Sequence, residues 1–246
     1  MSKSPYILAI DQGTSSTRAA LIDKKGIIVD QESVEFKQIY PANGWVEHDP
    51  LEIMQTVKST ITTIFERNKI IQNDILSCGI TNQRETIVAW DKVTGKPLYN
   101  AIVWQDRRTQ NICQNLVDKD YTNLIQEKTG LIIDPYFSAS KIQWLLENIK
   151  DQNNLIVGTI DTWIIWNLTN KTKHLTDITN ASRTMLYNIA DEVWDHEILD
   201  LFNISESILP TVQSNKDDFG TIHSDHFGIE IPIGCLLYTS PSPRDP

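Results

Sequence analysis

Three short segments of strand-forming composition, joined by very short turns, occupy residues 6–36. Residues 6–11, 17–22 and 27–36 are each rich in apolar or β-branched side chains, and only a few residues separate one from the next. Connections this short join antiparallel neighbours, because parallel strands need a crossover of about a dozen residues or more. The amino-terminal part of the chain is therefore predicted to form an antiparallel meander.

A helix with a strong start signal follows this meander. Asp49 is a suitable cap, Pro50 suits the first turn, and Glu52 has the spacing that completes a capping box. Apolar residues then recur every three or four positions, at Leu51, Met54, Val57, Ile61 and Ile64. This spacing predicts that one face of the helix packs on the core.

Strands and helices continue to alternate along the rest of the chain. Strands are predicted over residues 75–81, 86–90, 98–104 and 155–157. Helices are predicted around residues 142–149 and over 162–168, the latter capped by Asp161. This alternation predicts an α/β fold whose mixed sheet contains antiparallel strands and is flanked by helices.

Composition and charge exclude several classes of protein. Lys and Arg number 22 against 32 Asp and Glu, so the formal net charge is −10, which disfavours nucleic acid as a partner. The three cysteines match no zinc or redox spacing, and His48 and His174 lack partners at metal-ligand spacing, so we expect both histidines to be structural. No stretch approaches the roughly 18 apolar residues of a membrane span, and we expect a cytoplasmic protein.

The segment Asp11-Gln-Gly-Thr-Ser-Ser-Thr-Arg18 is the first candidate for chemistry. A carboxylate at a strand end precedes a glycine turn that carries hydroxyls and backbone N–H groups. Such amides can donate to phosphate oxygens while the acid holds a magnesium ion or its waters. The segment matches neither the Walker P-loop nor the dinucleotide glycine motif. The alternative is a plain hairpin turn whose polar residues face water.

Polar and aromatic side chains at other strand and loop ends could bind a polyhydroxylated ligand. Arg84 and Glu85 stand between two apolar strands, where a turned loop can present a fork of donors and a carboxylate acceptor together. Trp104 offers an aromatic face, and Tyr136 offers a phenol just ahead of a helix. The alternatives are a solvent-facing salt-bridged loop for the charged pair, core packing for the tryptophan, and simple turn chemistry around the tyrosine.

Seven segments, taken together and in order, resemble the signatures of glycerol kinases. They are residues 11–14 (DQGT), 44–50 (GWVEHDP), 79–86 (GITNQRET), 100–105 (NAIVWQ), 133–138 (IDPYFS), 161–163 (DTW) and 179–186 (TNASRTML). Glycerol kinases belong to the FGGY family of carbohydrate and polyol kinases. The resemblance runs from about residue 6 to residue 233.

The resemblance implies a two-domain enzyme with a ribonuclease-H-like core of the actin-like ATPase superfamily. Residues 1–234 would be the amino-terminal, polyol-binding domain, and the second, nucleotide-binding domain is missing from this sequence. The implied reaction is the ATP-dependent phosphorylation of glycerol to sn-glycerol 3-phosphate, with ATP and Mg²⁺. A homo-oligomer is expected for the full-length protein.

The resemblance also implies roles for individual residues. The residues that would bind glycerol are Arg84, Glu85, Trp104 and Tyr136. The residues that would meet the phosphates of ATP are Thr14, Ser15, Ser16 and Arg18. Asp11 would hold the magnesium ion. Ser15 stands where many relatives have threonine, a change that keeps the hydroxyl.

The sequence departs from the family pattern after Gly234. There the family continues with Gly-Asp-Gln-Gln, whose aspartate accepts the proton of the attacking hydroxyl, whereas this chain reads Cys235-Leu-Leu-Tyr-Thr239. Asp245 has the wrong neighbours for that role, so no catalytic base is identified. Residues 235–246, which include three prolines, are expected to be a non-native or disordered tail. The sequence therefore predicts a fragment that is inactive alone.

Two other functions remain open at this level. A kinase for another polyol or a pentose would share the same family features. A non-catalytic polyol-binding module would keep the fold without the chemistry. Asp11 and the hydroxyl-rich turn favour a kinase, because a pure polyol binder needs neither, whereas the missing base favours the binding module.

Overall fold

The protein is described by a computed structural model that covers residues 5–236. Its strands are β1 (Tyr6–Gln12), β2 (Ser16–Ile22), β3 (Ile28–Glu35), β4 (Glu47–His48), β5 (Ile75–Asn82), β6 (Ile87–Asp91), β7 (Ala101–Ile102), β8 (Leu155–Thr159), β9 (Leu175–Asp177), β10 (Tyr187–Asn188), β11 (Val193–Trp194), β12 (Thr211–Gln213), β13 (Thr221–Ile222) and β14 (Ile231–Leu236). Its helices are α1 (Pro50–Asn68), α2 (Gln110–Asp118), α3 (Thr122–Thr129), α4 (Ser138–Asn148), α5 (Ile160–Leu168), α6 (Ile178–Ala181), α7 (His196–Leu201) and α8 (Ser224–Phe227).

The predicted mixed sheet is confirmed. Within the described residues the central sheet has six strands in the order β13-β14-β5-β1-β2-β3. Strands β1, β2 and β3 pair antiparallel as the predicted meander, whereas β5 runs parallel to β1 and to β14. A second, antiparallel sheet has the order β4-β7-β6-β8.

Two apolar cores lie on opposite faces of the second sheet. On β6, Val88 and Trp90 belong to the core that also contains α1, α5 and the central sheet. Ile87 and Ala89 belong to the other core, which contains α4 and α7. Because alternate residues of a strand point to opposite faces, burial on both sides explains why β6 is apolar at successive positions.

Helix α1 begins where the sequence predicts, but two features of its first turn differ. Asp49 caps the helix, since its carboxylate accepts the N–H of Leu51 at 2.8 Å. Glu52 closes no capping box; its carboxylate accepts the N–H of Lys37 at 3.0 Å, because the segment after β3 brings a free donor close. Leu51 is 58% exposed, since it lies about 110° around the helix from the middle of the buried face.

The predicted cap of α5 is wrong. Thr159 is the N-cap residue, and Asp161 lies fully buried within the first turn. Its carboxylate accepts the hydroxyls of Thr159 and Thr176, the latter at 2.7 Å. Burial, together with the nearby charge of Asp177, raises the pKa of Asp161. The aspartate is therefore a buried acceptor for hydroxyl groups instead of a cap for backbone N–H groups.

The strand predicted over residues 98–104 is much shorter in the structure. Strand β7 covers two residues, and the chain then turns, with the N–H of Asp106 donating to the carbonyl of Val103 at 2.9 Å. The Asp106 carboxylate also accepts the N–H of Val46 at 2.6 Å. These side-chain and turn bonds replace the ladder bonds of a longer strand, and they leave Trp104 beyond the strand end.

Only the first two residues of the predicted tail, residues 235–246, lie within the described part of the chain. Residues 237–246 of the predicted tail lie outside the described residues, whereas residues 235 and 236 continue β14 beside β5. In the part of the chain that the structure describes, no helix is both long enough and apolar enough to cross a membrane.

Candidate functional site

The turn at residues 13–16 joins β1 to β2 and presents free backbone donors. The N–H of Gly13 donates to the carbonyl of Ser16 at 2.9 Å, and a Cβ atom on Gly13 would lie 3.3 Å from that oxygen. A residue without a Cβ therefore suits this close turn. Across the described chain, the N–H groups of Thr14 and Ser15 have no acceptor. Two free amides on one turn form a donor set that fits a phosphate group.

Asp11 and Arg18 lie side by side on the central sheet. They face each other directly in the pairing of β1 with β2, so their side chains project from the same face, and both are exposed. Mg²⁺ is commonly held by one or two carboxylates together with substrate phosphates, and a guanidinium suits phosphate oxygens. Residues 5–236 contain no group of three or more His, Cys, Asp or Glu placed to hold a metal ion. The exposed carboxylate of Asp11 beside the Arg18 guanidinium is compatible with a single carboxylate ligand for Mg²⁺.

Arg84 and Glu85 lie on a turn between β5 and β6 and have different environments. Arg84 is exposed, and its guanidinium makes no hydrogen bond or ion pair within residues 5–236. Glu85 is 3% exposed, and its Oε1 accepts the Nε–H of Arg183 at 2.7 Å. The carboxylate is thus ion-paired in a buried position, which differs from the solvent-facing salt-bridged loop that the sequence left open.

Trp104 and Tyr136 form an aromatic wall beside this ion pair. Their ring centroids are 5.5 Å apart in an edge-to-face arrangement, and the Arg183 guanidinium carbon lies 5.6 Å from the centre of the Tyr136 ring. Burial and the charge of Glu85 raise the pKa of Tyr136, while the charge of Arg183 opposes this rise. The phenol consequently keeps its proton at neutral pH and can donate a hydrogen bond.

One hydrogen bond connects the aromatic wall to the turn at residues 13–16. The indole Nε1–H of Trp104 donates to Thr14 Oγ1 at 2.9 Å. Because this bond uses the hydroxyl oxygen as an acceptor, the O–H of Thr14 stays free to donate elsewhere. The two predicted groups of site residues therefore meet through a direct contact.

The loop that carries Tyr136 is held by buried polar contacts. Lys141 is fully buried, and its Nζ donates to the carbonyls of Tyr136 at 2.6 Å and Phe137 at 3.0 Å. Burial lowers the pKa of Lys141 to about 7. The hydroxyl of Ser138 donates to the backbone carbonyl of Glu85 at 3.2 Å. These bonds fix the tyrosine loop against the turn between β5 and β6.

Two residues of this cluster, Arg183 and Lys141, are not predicted as site residues from the sequence. Arg183 lies within residues 179–186, one of the segments that carry the family resemblance, and that membership is the signal that could have identified it. Lys141 gives no such signal, because a lysine in an amphipathic helix is ordinarily expected on the solvent side.

Comparison with known proteins identifies the family of this chain. Residues 6–235 match the N-terminal domain of the FGGY family of carbohydrate kinases. The chain is 50% identical over 234 residues to glycerol kinase 2 of Thermotoga maritima, a match that covers 93% of this chain and 47% of that protein. It is 52% identical over 238 residues to glycerol kinase of Ligilactobacillus salivarius, covering 94% and 47% respectively.

The fold class implied by the resemblance is also confirmed. The crystal structure of Plasmodium falciparum glycerol kinase with ADP superposes with a TM-score of 0.91 at 40% identity, over 95% of this chain and 48% of that one. The chain therefore spans about half the length of the relatives it matches. On the extent of the match along residues 6–235, this chain belongs to the FGGY family of carbohydrate kinases.

Proposed function

We propose that residues 1–234 form the polyol-binding domain of an ATP-dependent glycerol kinase, which converts glycerol to sn-glycerol 3-phosphate. The observation that carries this proposal is the continuous contact from Thr14 through Trp104 and Tyr136 to Arg183 and Glu85. It joins side chains suited to a polyol to a turn suited to phosphate. The relatives reported above are glycerol kinases, one of them in complex with ADP, which supports the same substrates here.

The polyol side of the cluster supplies complementary groups for a small polyhydroxylated molecule. The carboxylate of Glu85 would accept a hydrogen bond from one hydroxyl, and the phenol of Tyr136 would donate to another. Arg84, exposed and without a partner in the described chain, would donate through its guanidinium fork. The ring of Trp104 would cover the C–H side of the ligand.

The phosphate side would be formed by the turn at residues 13–16 and Arg18. The free amides of Thr14 and Ser15, the hydroxyl of Ser16 and the Arg18 guanidinium would bind phosphate oxygens. Mg²⁺, held by Asp11, would neutralise charge on the transferring phosphoryl group. Phosphoryl transfer depends mainly on positioning and charge stabilisation, which these residues would provide. We assign no proton acceptor within residues 5–236.

A cytoplasmic location and a homo-oligomeric full-length protein remain predictions. So does the absence of nucleic acid partners, which rests on the net charge of −10.

A chimeric enzyme tests the proposed function. Residues 1–234 of this chain would be joined to the carboxyl-terminal half of Thermotoga maritima glycerol kinase 2, a relative whose match covers 93% of this chain. Coupled assays with Mg-ATP would compare glycerol with xylulose, ribulose and erythritol. We expect a clear preference for glycerol, and the Asp11→Asn chimera should fall to background as a matched control.

Two other outcomes of this assay would contradict the proposed function. A preference for a pentulose would overturn the assignment of glycerol in favour of another kinase of the family. Glycerol binding without phosphoryl transfer, in a chimera whose Asp11→Asn variant binds equally well, would support the polyol-binding module instead.

A further inference from the structure

A buried histidine that has no part in the proposed chemistry lies against the turn at residues 13–16. His48 is fully buried, and its ring meets Phe36 edge-on at a centroid distance of 4.9 Å. Its two nitrogens face two glutamines. Nε2 lies 2.7 Å from Gln38 Oε1, and Nδ1 lies 3.4 Å from Gln83 Nε2.

The orientation of each glutamine amide is set by another hydrogen bond. Gln38 Nε2 donates to the carbonyl of Thr14 at 3.0 Å, so its oxygen faces His48. Gln83 Oε1 accepts the hydroxyl of Thr86 at 2.8 Å, so its nitrogen faces the imidazole. An acceptor therefore faces one ring nitrogen and a donor faces the other. Only the neutral tautomer with its proton on Nε2 satisfies both contacts.

This network reaches both sides of the proposed site. Gln38 Nε2 donates to the carbonyl of Thr14. Gln83 Nε2 lies 3.1 Å from both the carbonyl of Gly13 and Gln12 Oε1, so its two protons are shared among these two oxygens and the more distant Nδ1 of His48. The hydroxyl oxygen of Thr86 in turn accepts the backbone N–H of Trp104 at 3.2 Å. A displaced imidazole would consequently loosen the turn at residues 13–16 and the loop at residues 82–86 together.

We propose that the neutral imidazole of His48 is a positioning group, which holds the turn at residues 13–16 and the loop at residues 82–86 at a fixed separation through Gln38 and Gln83. The effect of His48 on catalysis rests on the proposed function, whereas its effect on the position of the turn and the loop does not. Burial lowers the pKa of His48 to about 4, so the ring stays neutral at physiological pH. Within the described chain its hydrogen-bond partners are uncharged amides, and no ion pair reaches it.

Nuclear magnetic resonance of the 246-residue chain tests the geometry directly. The ¹⁵N resonances of the unmodified His48 ring should show a proton on Nε2 and none on Nδ1 near neutral pH. In the variant His48→Phe, the amides of Gly13 and Gln83 should exchange about tenfold faster relative to those of β2 and β3, as expected when a hydrogen bond is lost. A general loss of stability would instead accelerate exchange in the whole sheet.

His174→Phe is the matched control. His174 is another poorly exposed histidine whose pKa is lowered to about 4, but its Nε2 lies 2.9 Å from the carbonyl of Val157, outside this network. The control should leave exchange at Gly13 and Gln83 unchanged. A proton on Nδ1 of the unmodified His48, or equal effects of the two substitutions, would overturn the proposal even if His48→Phe fails to fold, because the ring proton is measured without any substitution.

Kinetics of the chimera then separate the two proposals. His48→Phe should lower kcat by about tenfold or more while changing KM for glycerol less, because misalignment of the phosphate turn and the polyol loop acts on the transition state. An unchanged kcat would overturn the positioning role. An inactive unmodified chimera would count against the proposed function alone, since the ring proton and amide exchange would still decide the role of His48.

Discussion

Replacement of Arg183 by methionine would leave the carboxylate of Glu85 without its cationic partner. The Glu85 side chain is 4% exposed, and the atoms that form the pair are 2.7 Å apart. Removing one member of a buried pair costs about 3–5 kcal/mol, because the other charge stays buried and unpaired. The Arg183 side chain is 29% exposed, so solvent reduces this cost, and we expect a loss of about 2–3 kcal/mol in the free energy of unfolding.

A double-mutant cycle measures this contribution. Glu85→Gln in the Arg183→Met background removes the uncompensated charge, so the double variant should recover most of the lost stability, with a coupling energy of about 2 kcal/mol. Urea denaturation of the 246-residue chain, followed by circular dichroism, gives the four free energies that the cycle requires.

The pair between Arg107 and Asp134 supplies the control cycle. Its atoms are 2.9 Å apart, but its side chains are 48% and 28% exposed. The cycle Arg107→Met with Asp134→Asn should therefore show a coupling energy of at most about 1 kcal/mol. Equal coupling in the two cycles would refute the argument that burial of Glu85 makes its ion pair important.

Three further tests, one of them with a paired control substitution, address other parts of the structure. Arg84→Ala should lower kcat/KM of the chimera for glycerol by about ten- to a hundredfold without changing its melting temperature, and unchanged kinetics would place Arg84 outside the site. The pKa of Asp161 in the folded state is raised above 3.8, so its contribution to stability is lost as pH rises from 3.8 through the raised value. Asp161→Asn should therefore abolish this decrease in the free energy of unfolding. Identical slopes of the free energy of unfolding against pH in the two proteins would contradict this expectation. Trp163→Phe should cost about 2–3 kcal/mol in urea denaturation, because Trp163 Nε1 donates to the carbonyl of Pro50 at 2.9 Å. Trp166→Phe should cost less, since the buried Trp166 Nε1 has no partner in the described chain.

Signals between residues close in the sequence were sufficient to predict much of the fold. The short turns at residues 13–16 and 23–26 predict the meander, because a few residues can connect only antiparallel neighbours. The cap at Asp49 depends on atoms of its own turn and is confirmed. The family resemblance likewise placed residues 84–85, Trp104 and Tyr136 among the candidates, although their roles remain proposals.

Predictions from local sequence failed where a residue distant in the sequence hydrogen-bonds the same carboxylate. Glu52 has the right spacing for a capping box, yet it accepts the N–H of Lys37, 15 residues away. Asp161 could cap its helix, yet it is buried and accepts two hydroxyl groups, one of them from Thr176. Such competition depends on which segments pack together, and sequence spacing does not describe it.

The sequence by itself therefore determined many of the elements and the chemical types available for a site, since strand propensity, turn length and capping act between near neighbours. Only the tertiary structure decided which of those groups meet. Trp104 bonds to Thr14 across 90 positions, and Arg183 bonds to Glu85 across 98. Both contacts join segments that only the folded chain brings together, and the fold also buries Lys141 of α4, a residue type that ordinarily faces water.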